Sequence, residues 1–90
     1  MKINFLEIAQ IELDDAIEFY NYEIPGLGDA FLTEVLNALD RIGEFPKAWH
    51  CISKRTRRCK TRRFPYGIIY QSIVLSTLLI NRIQGHQTFR

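Results

Sequence analysis

The sequence predicts an α+β fold: a short N-terminal strand, then an antiparallel helical hairpin packed on one face of a small antiparallel sheet. Three observations carry this. Apolar residues recur at spacings of three and four through the first half of the chain. A Pro-Gly-Leu-Gly break leaves only a few residues between two such stretches, so the two helices should lie side by side. Beyond Pro46 the apolar period changes to two, the period of a strand. Ninety residues suffice for one domain and not for two independent cores, so residues 1–90 are expected to fold as one.

The elements follow in order. "KINFL" alternates and predicts a short opening strand. Ala9, Leu13, Ala16, Ile17 and Tyr20 predict a helix over residues 8–23, with Glu12, Asp15 and Glu18 projecting away from its apolar face. "IPGLG" breaks it, because Pro25 cannot continue a helix and the glycines free the chain to turn. A second helix is predicted over residues 29–44, with Phe31, Val35, Leu39 and Ile42 in one stripe and Asp29 as N-cap or first-turn acid. Pro46 ends it at Phe45. "RFPYGIIYQSI" then places Phe64, Tyr66, Ile68 and Tyr70 on one face of a strand, and "TLLINRI" supplies another. The turn between them, within "QSIVLST", carries no Gly, Pro or Asn-Gly to mark it. About three antiparallel strands should therefore follow the helices.

Charge is sorted along the chain. All ten acids lie between Glu7 and Glu44, so residues 1–50, with three bases, carry a net −7. Residues 51–90 hold nine bases and no acid, a net +9. The stretch "SKRTRRCKTRRF", residues 53–64, contains seven of those bases. Neither of its alternating faces is expected to enter a core before Phe64. A solvated edge that blocks strand addition is one reading of such a segment. One or two charges suffice for that purpose, however, and Arg outnumbers Lys five to two here, which favours contacts to phosphate or carboxylate. The basic half is expected to attract a polyanion or an acidic protein face.

Several chemistries find no support. Cys51 and Cys59 with only His50 and His86 match no zinc spacing, and no glycine motif cradles a phosphate, so no metal or cofactor is expected. The chain opens without an export signal, which leads to the expectation of a cytoplasmic protein with reduced thiols. The uncharged run at residues 65–81 is rich in Ile and Tyr and suits buried strands better than a membrane span. What remains is a set suited to phosphodiester chemistry without metal. Arginine stabilises added charge on phosphate, and His or Tyr moves the proton. Arg62, Arg63, Tyr66, Tyr70, Arg82, His86 and Arg90 all come from the sheet half. Each has a plainer reading: Tyr66 and Tyr70 as core residues, His86 as a surface histidine, Arg82 as a surface charge.

Taken together, "ELDDAIEFYNYEIPGLGDAFLTEV", "IGEFPKAW", "RRFPYGIIY" and "GHQTFR", in this order, resemble the RelE/ParE superfamily of toxins from type II toxin–antitoxin systems, often called plasmid stabilisation proteins. The resemblance covers nearly the whole chain and is closer to the ParE branch. It implies a helical hairpin against an antiparallel sheet, neutralisation by a cognate antitoxin, and growth inhibition by poisoning DNA gyrase. Arg57, Arg58, Lys60, Arg62, Arg63, Tyr66 and Arg90 are the expected target-binding residues. The alternative branch implies a metal-independent endoribonuclease acting on mRNA at the ribosome, with Arg63, Arg82 and His86 as catalytic residues. The basic half has no Asp or Glu to serve as base in that chemistry. The ending "HQTFR" also sets Arg90 four residues after His86, a departure from the ParE-type pattern that leaves an inactive, antitoxin-binding remnant as a third alternative.

Overall fold

The computed structural model describes residues 2–74 and 76–85. Its elements are β1 (Lys2–Phe5), α1 (Glu7–Glu23), α2 (Leu27–Glu44), β2 (His50–Cys51), β3 (Arg57–Lys60), β4 (Tyr66–Val74) and β5 (Thr77–Gly85). The five strands form one sheet in the order β1-β5-β4-β3-β2. Strands β2 to β5 pair antiparallel, as expected. β1 differs: it joins the edge of β5 in parallel, Lys2 opposite Thr77 and Phe5 opposite Ile80. The reason is connectivity, because the two helices intervene before the chain returns, and a long crossover permits parallel pairing where a tight turn does not.

The helices form because each buries one stripe on the sheet. Ala9, Leu13 and Ala16 of α1 and Phe31, Val35, Ala38, Leu39 and Ile42 of α2 meet Ile68, Tyr70, Leu78, Ile80 and Ile83 in a common core. Rings of Tyr20, Phe31, Phe64 and Tyr66 stack at one end, with Phe31 and Tyr66 centroids 4.8 Å apart and Phe31 and Phe64 at 5.2 Å. The predicted face Phe64–Tyr66–Ile68–Tyr70 is thus buried or half-buried throughout.

The interhelical break works through its glycines. Gly26 takes φ 91° ahead of α2, a left-handed conformation that suits a residue without Cβ. At Gly28 the helices touch: a Cβ there would stand 2.2 Å from the Ile17 carbonyl oxygen. The Gly28 N–H donates instead to Asn21 Oδ1 at 2.7 Å. Helix α2 consequently starts at Leu27, two residues before the expected Asp29, which becomes its first-turn acid.

β4 ends at Val74 and β5 begins at Thr77, and between them Ser76 takes φ 66°. A register shift follows further along. Ile69 faces Arg82 and Tyr70 faces Ile80, leaving Asn81 as the extra residue. This bulge is why Ile80 and Ile83, three apart, both reach the core. No helix of the described residues is long and apolar enough to cross a membrane.

Candidate polyanion-binding site

The basic stretch forms the turn after β2, all of β3 and the connection to β4. β2 and β3 pair through His50–Arg58 and Cys51–Arg57, and residues 52–55 cap the hairpin, all four exposed. Its turn is closed locally: Ile52 N–H donates to Thr56 O at 2.9 Å, and Ser53 Oγ accepts the N–H groups of Arg55 and Thr56. The expectation that neither face of this stretch enters the core is corrected here. Cys59 is 1% exposed and Thr61 7%. A small thiol sits on the odd-numbered face of β3 beneath the helices, and burial pushes its pKa up, with Arg41 and Arg62 opposing. Thr61 satisfies its hydroxyl by donating to Phe64 O at 2.6 Å. Arg57, on the same face, is tolerated because its guanidinium extends to the loop after α2, where Nη1 donates to Lys47 O and Trp49 O at 3.0 and 2.9 Å.

Two concave surfaces result. A groove of about 630 Å³ is lined by Arg41, Trp49, His50, Arg58, Lys60, Thr61 and Arg62. Arg41 reaches it from α2 and donates to Lys60 O at 3.0 Å. The Arg58 side chain lies across Gly67, where a Cβ would meet its Cδ at 2.9 Å. A second pocket, about 390 Å³, is lined by Lys47, Lys54, Arg55, Arg57 and the β4 residues Tyr70 to Ile73. No carboxylate among the described residues lines either one. The two arginines of this region that make side-chain hydrogen bonds, Arg41 and Arg57, give them to neutral carbonyls, which leaves their charge intact.

The expected residues therefore separate. Arg58, Lys60 and Arg62 share the larger groove, and Arg57 lies in the smaller pocket with a holding role. Backbone N–H groups of Arg62 and Arg63 both donate to Glu34 Oε1 of α2, at 3.0 and 3.2 Å, which fixes that turn while leaving the side chains exposed. Arg63 stands over the Phe64 ring at 5.8 Å. Tyr66 is half-buried in the aromatic cluster. Arg82 of β5 is in register with Arg58 across Ile69 of β4 but lines neither surface, and His86 and Arg90 lie outside the described residues.

Arg82 is engaged by Glu12 of α1, which was expected to project away from the sheet. Arg82 Nε donates to both carboxylate oxygens at 3.1 and 3.0 Å, Nη2 donates to Oε2, and the Ile83 N–H donates to Oε1 at 2.8 Å. This N–H belongs to the part of β5 that extends beyond β1, so Glu12 supplies an acceptor where no strand does. Burial works to raise the Glu12 pKa. The Arg82 and Ile83 hydrogen bonds and the Arg82 charge outweigh it and hold the carboxyl below its ordinary value. An acid absent from the sequence of the basic half thus reaches it from the helical half. A carboxylate so stabilised, with both oxygens engaged, is a poor proton acceptor at neutral pH.

Sequence reasoning did not single out Arg41, Trp49, His50 or Lys47 for this surface, or Glu12 as the partner of Arg82. Arg41 and Lys47 had left a signal, as two of only three bases in the acidic half.

No family model and no curated protein matches the sequence. Among solved structures, the chain is similar to a chain of the chromosomal ParDE TA system from P. aeruginosa, with a TM-score of 0.81 and 15% sequence identity over 97% of each chain. At that identity the likeness establishes a shared fold: a helical hairpin on a five-stranded sheet, the arrangement implied by the sequence resemblance.

Proposed function

We propose that this chain is the toxin of a type II toxin–antitoxin module, held inactive by a cognate antitoxin in a hetero-oligomer and acting in the cytoplasm on DNA gyrase. The observation that carries the reading is the fold shared end to end with a ParDE chain. A basic surface that no described carboxylate lines supports it, because a gyrase–DNA complex presents both phosphate and acidic protein to such a surface. The endoribonuclease alternative draws less support. Arg82, one of its three expected catalytic residues, is engaged by Glu12 and lines neither of the two basic surfaces. The test incubates the purified chain with gyrase, plasmid and ATP and follows supercoiling and covalently trapped, cleaved DNA. Trapped complexes that disappear on adding the antitoxin are the expected result. Unimpaired supercoiling by folded protein would refute the gyrase assignment.

A further inference from the structure

Two cation sets with no residue in common flank the β2–β3 hairpin, and the alternation of β3 separates Arg57 from Arg58 and Lys60. Lys54, Arg55 and Arg57, joined by Lys47, line the pocket on one side. Arg58, Lys60 and Arg62, joined by Arg41, line the groove on the other. The turn at residues 52–55 is exposed, and its own hydrogen bonds hold it in shape before any ligand arrives. Little ordering entropy is therefore lost when it binds.

From this placement we propose that the β2–β3 hairpin is a duplex-DNA-binding element whose tip enters the major groove, with one cation set facing each phosphate backbone. Two geometric points favour a duplex. A flat acidic protein surface meets one side of a hairpin, whereas a groove presents a row of phosphates on each side. β3 is paired with β4 along its length, so the part that enters is the projecting tip at residues 52–56, and a hairpin tip fits a major groove about 12 Å wide. A third point disfavours single strands, which are held chiefly by stacking bases on exposed aromatic rings. Every aromatic residue between Trp49 and Tyr70 is buried or half-buried. The inference does not require gyrase as the target, since it concerns the chain and DNA alone.

The test measures binding of the full chain to a 30-base-pair duplex and to a single-stranded RNA of equal length across a salt series. The probes are the wild type, the pair Lys54→Ala/Arg55→Ala, the pair Lys60→Ala/Arg62→Ala, and Lys2→Ala as a charge control in distant β1. Circular dichroism checks that each variant is folded. The duplex should bind more tightly than the RNA. Each hairpin pair should lower the slope of log affinity against log salt by about 2, at roughly 0.9 for every phosphate that is no longer neutralised. Lys2→Ala should leave the slope unchanged, and a duplex carrying bulky glucosylated cytosines in its major groove should bind at least tenfold more weakly. Equal binding of RNA and duplex, an effect of only one hairpin pair, or indifference to the modified cytosines would each overturn the proposal.

Discussion

The acidic helical half and the basic sheet half use charge in opposite ways. Two carboxylates of the helices cross to the sheet half: Glu12 takes Arg82 and the Ile83 N–H, and Glu34 takes the N–H groups of Arg62 and Arg63. They act as local acceptors for edge and turn backbone that has no strand partner. Cations of the hairpin region do the reverse, since Arg41 and Arg57 donate to carbonyls and keep their charge. Among the described residues, Glu12–Arg82 is the one ion pair within 4.0 Å. Glu34 reaches the backbone of the Arg62–Arg63 turn, but no described carboxylate lines the two basic surfaces, so they retain their field for a partner. The difference teaches that sorting charge by sign serves structure on one side of this molecule and recognition on the other.

The comparison breaks most severely where the halves share a core. Phe31 is fully buried and touches rings from both halves, so Phe31→Ala should cost about 3–5 kcal/mol by chemical denaturation, enough to unfold much of the population. A smaller effect comes from separating the helices alone. Gly28→Ala forces its Cβ against the Ile17 carbonyl, and the expected cost of overpacking is about 1–3 kcal/mol despite alanine's better helix propensity, read as a lower Tm. Tyr70→Phe removes the hydrogen bond from the buried phenol to Pro46 O and should cost about 1 kcal/mol near neutral pH. Burial, only partly opposed by Arg57, pushes the Tyr70 pKa up to about 12. A raised folded-state pKa means stability that is present below pH 10 and lost as pH rises toward 12, and Tyr70→Phe should flatten that loss. The gentlest probe is Glu12→Gln. Glu12 has a lowered folded-state pKa, so its stabilisation is present above pH 4.5 and lost as pH falls through the folded value. Thermal melts of wild type and variant should differ at pH 7 and converge in acid. Equal melts at both pH values would remove Glu12 from the account.

How much of this was legible in the sequence depended on how each residue is held. The helices were readable because their apolar stripes repeat over several turns, and β4 because Tyr66, Ile68 and Tyr70 alternate, although the strand begins at Tyr66 and not at the expected Phe64. The parallel pairing of β1 was not, since four residues carry no sign of direction. Nor was β2, which is only His50–Cys51, or the bulge at Asn81, where the spacing of Ile80 and Ile83 was the sole trace. At the site, the basic run declared itself through composition. Its division between two surfaces, the recruitment of Arg41 and Lys47 to them, and the engagement of Arg82 by Glu12 all required the tertiary fold. Composition thus located the surface, while long-range packing decided which side chains share it.

The most direct test of the central claim, that the basic half carries the activity, is the gyrase cleavage assay with wild type and an Arg58→Ala/Lys60→Ala/Arg62→Ala variant of matched thermal stability. The account predicts trapped, cleaved DNA with the wild type and a loss of at least tenfold with the variant. Equal trapping by both, or none by either, would contradict it.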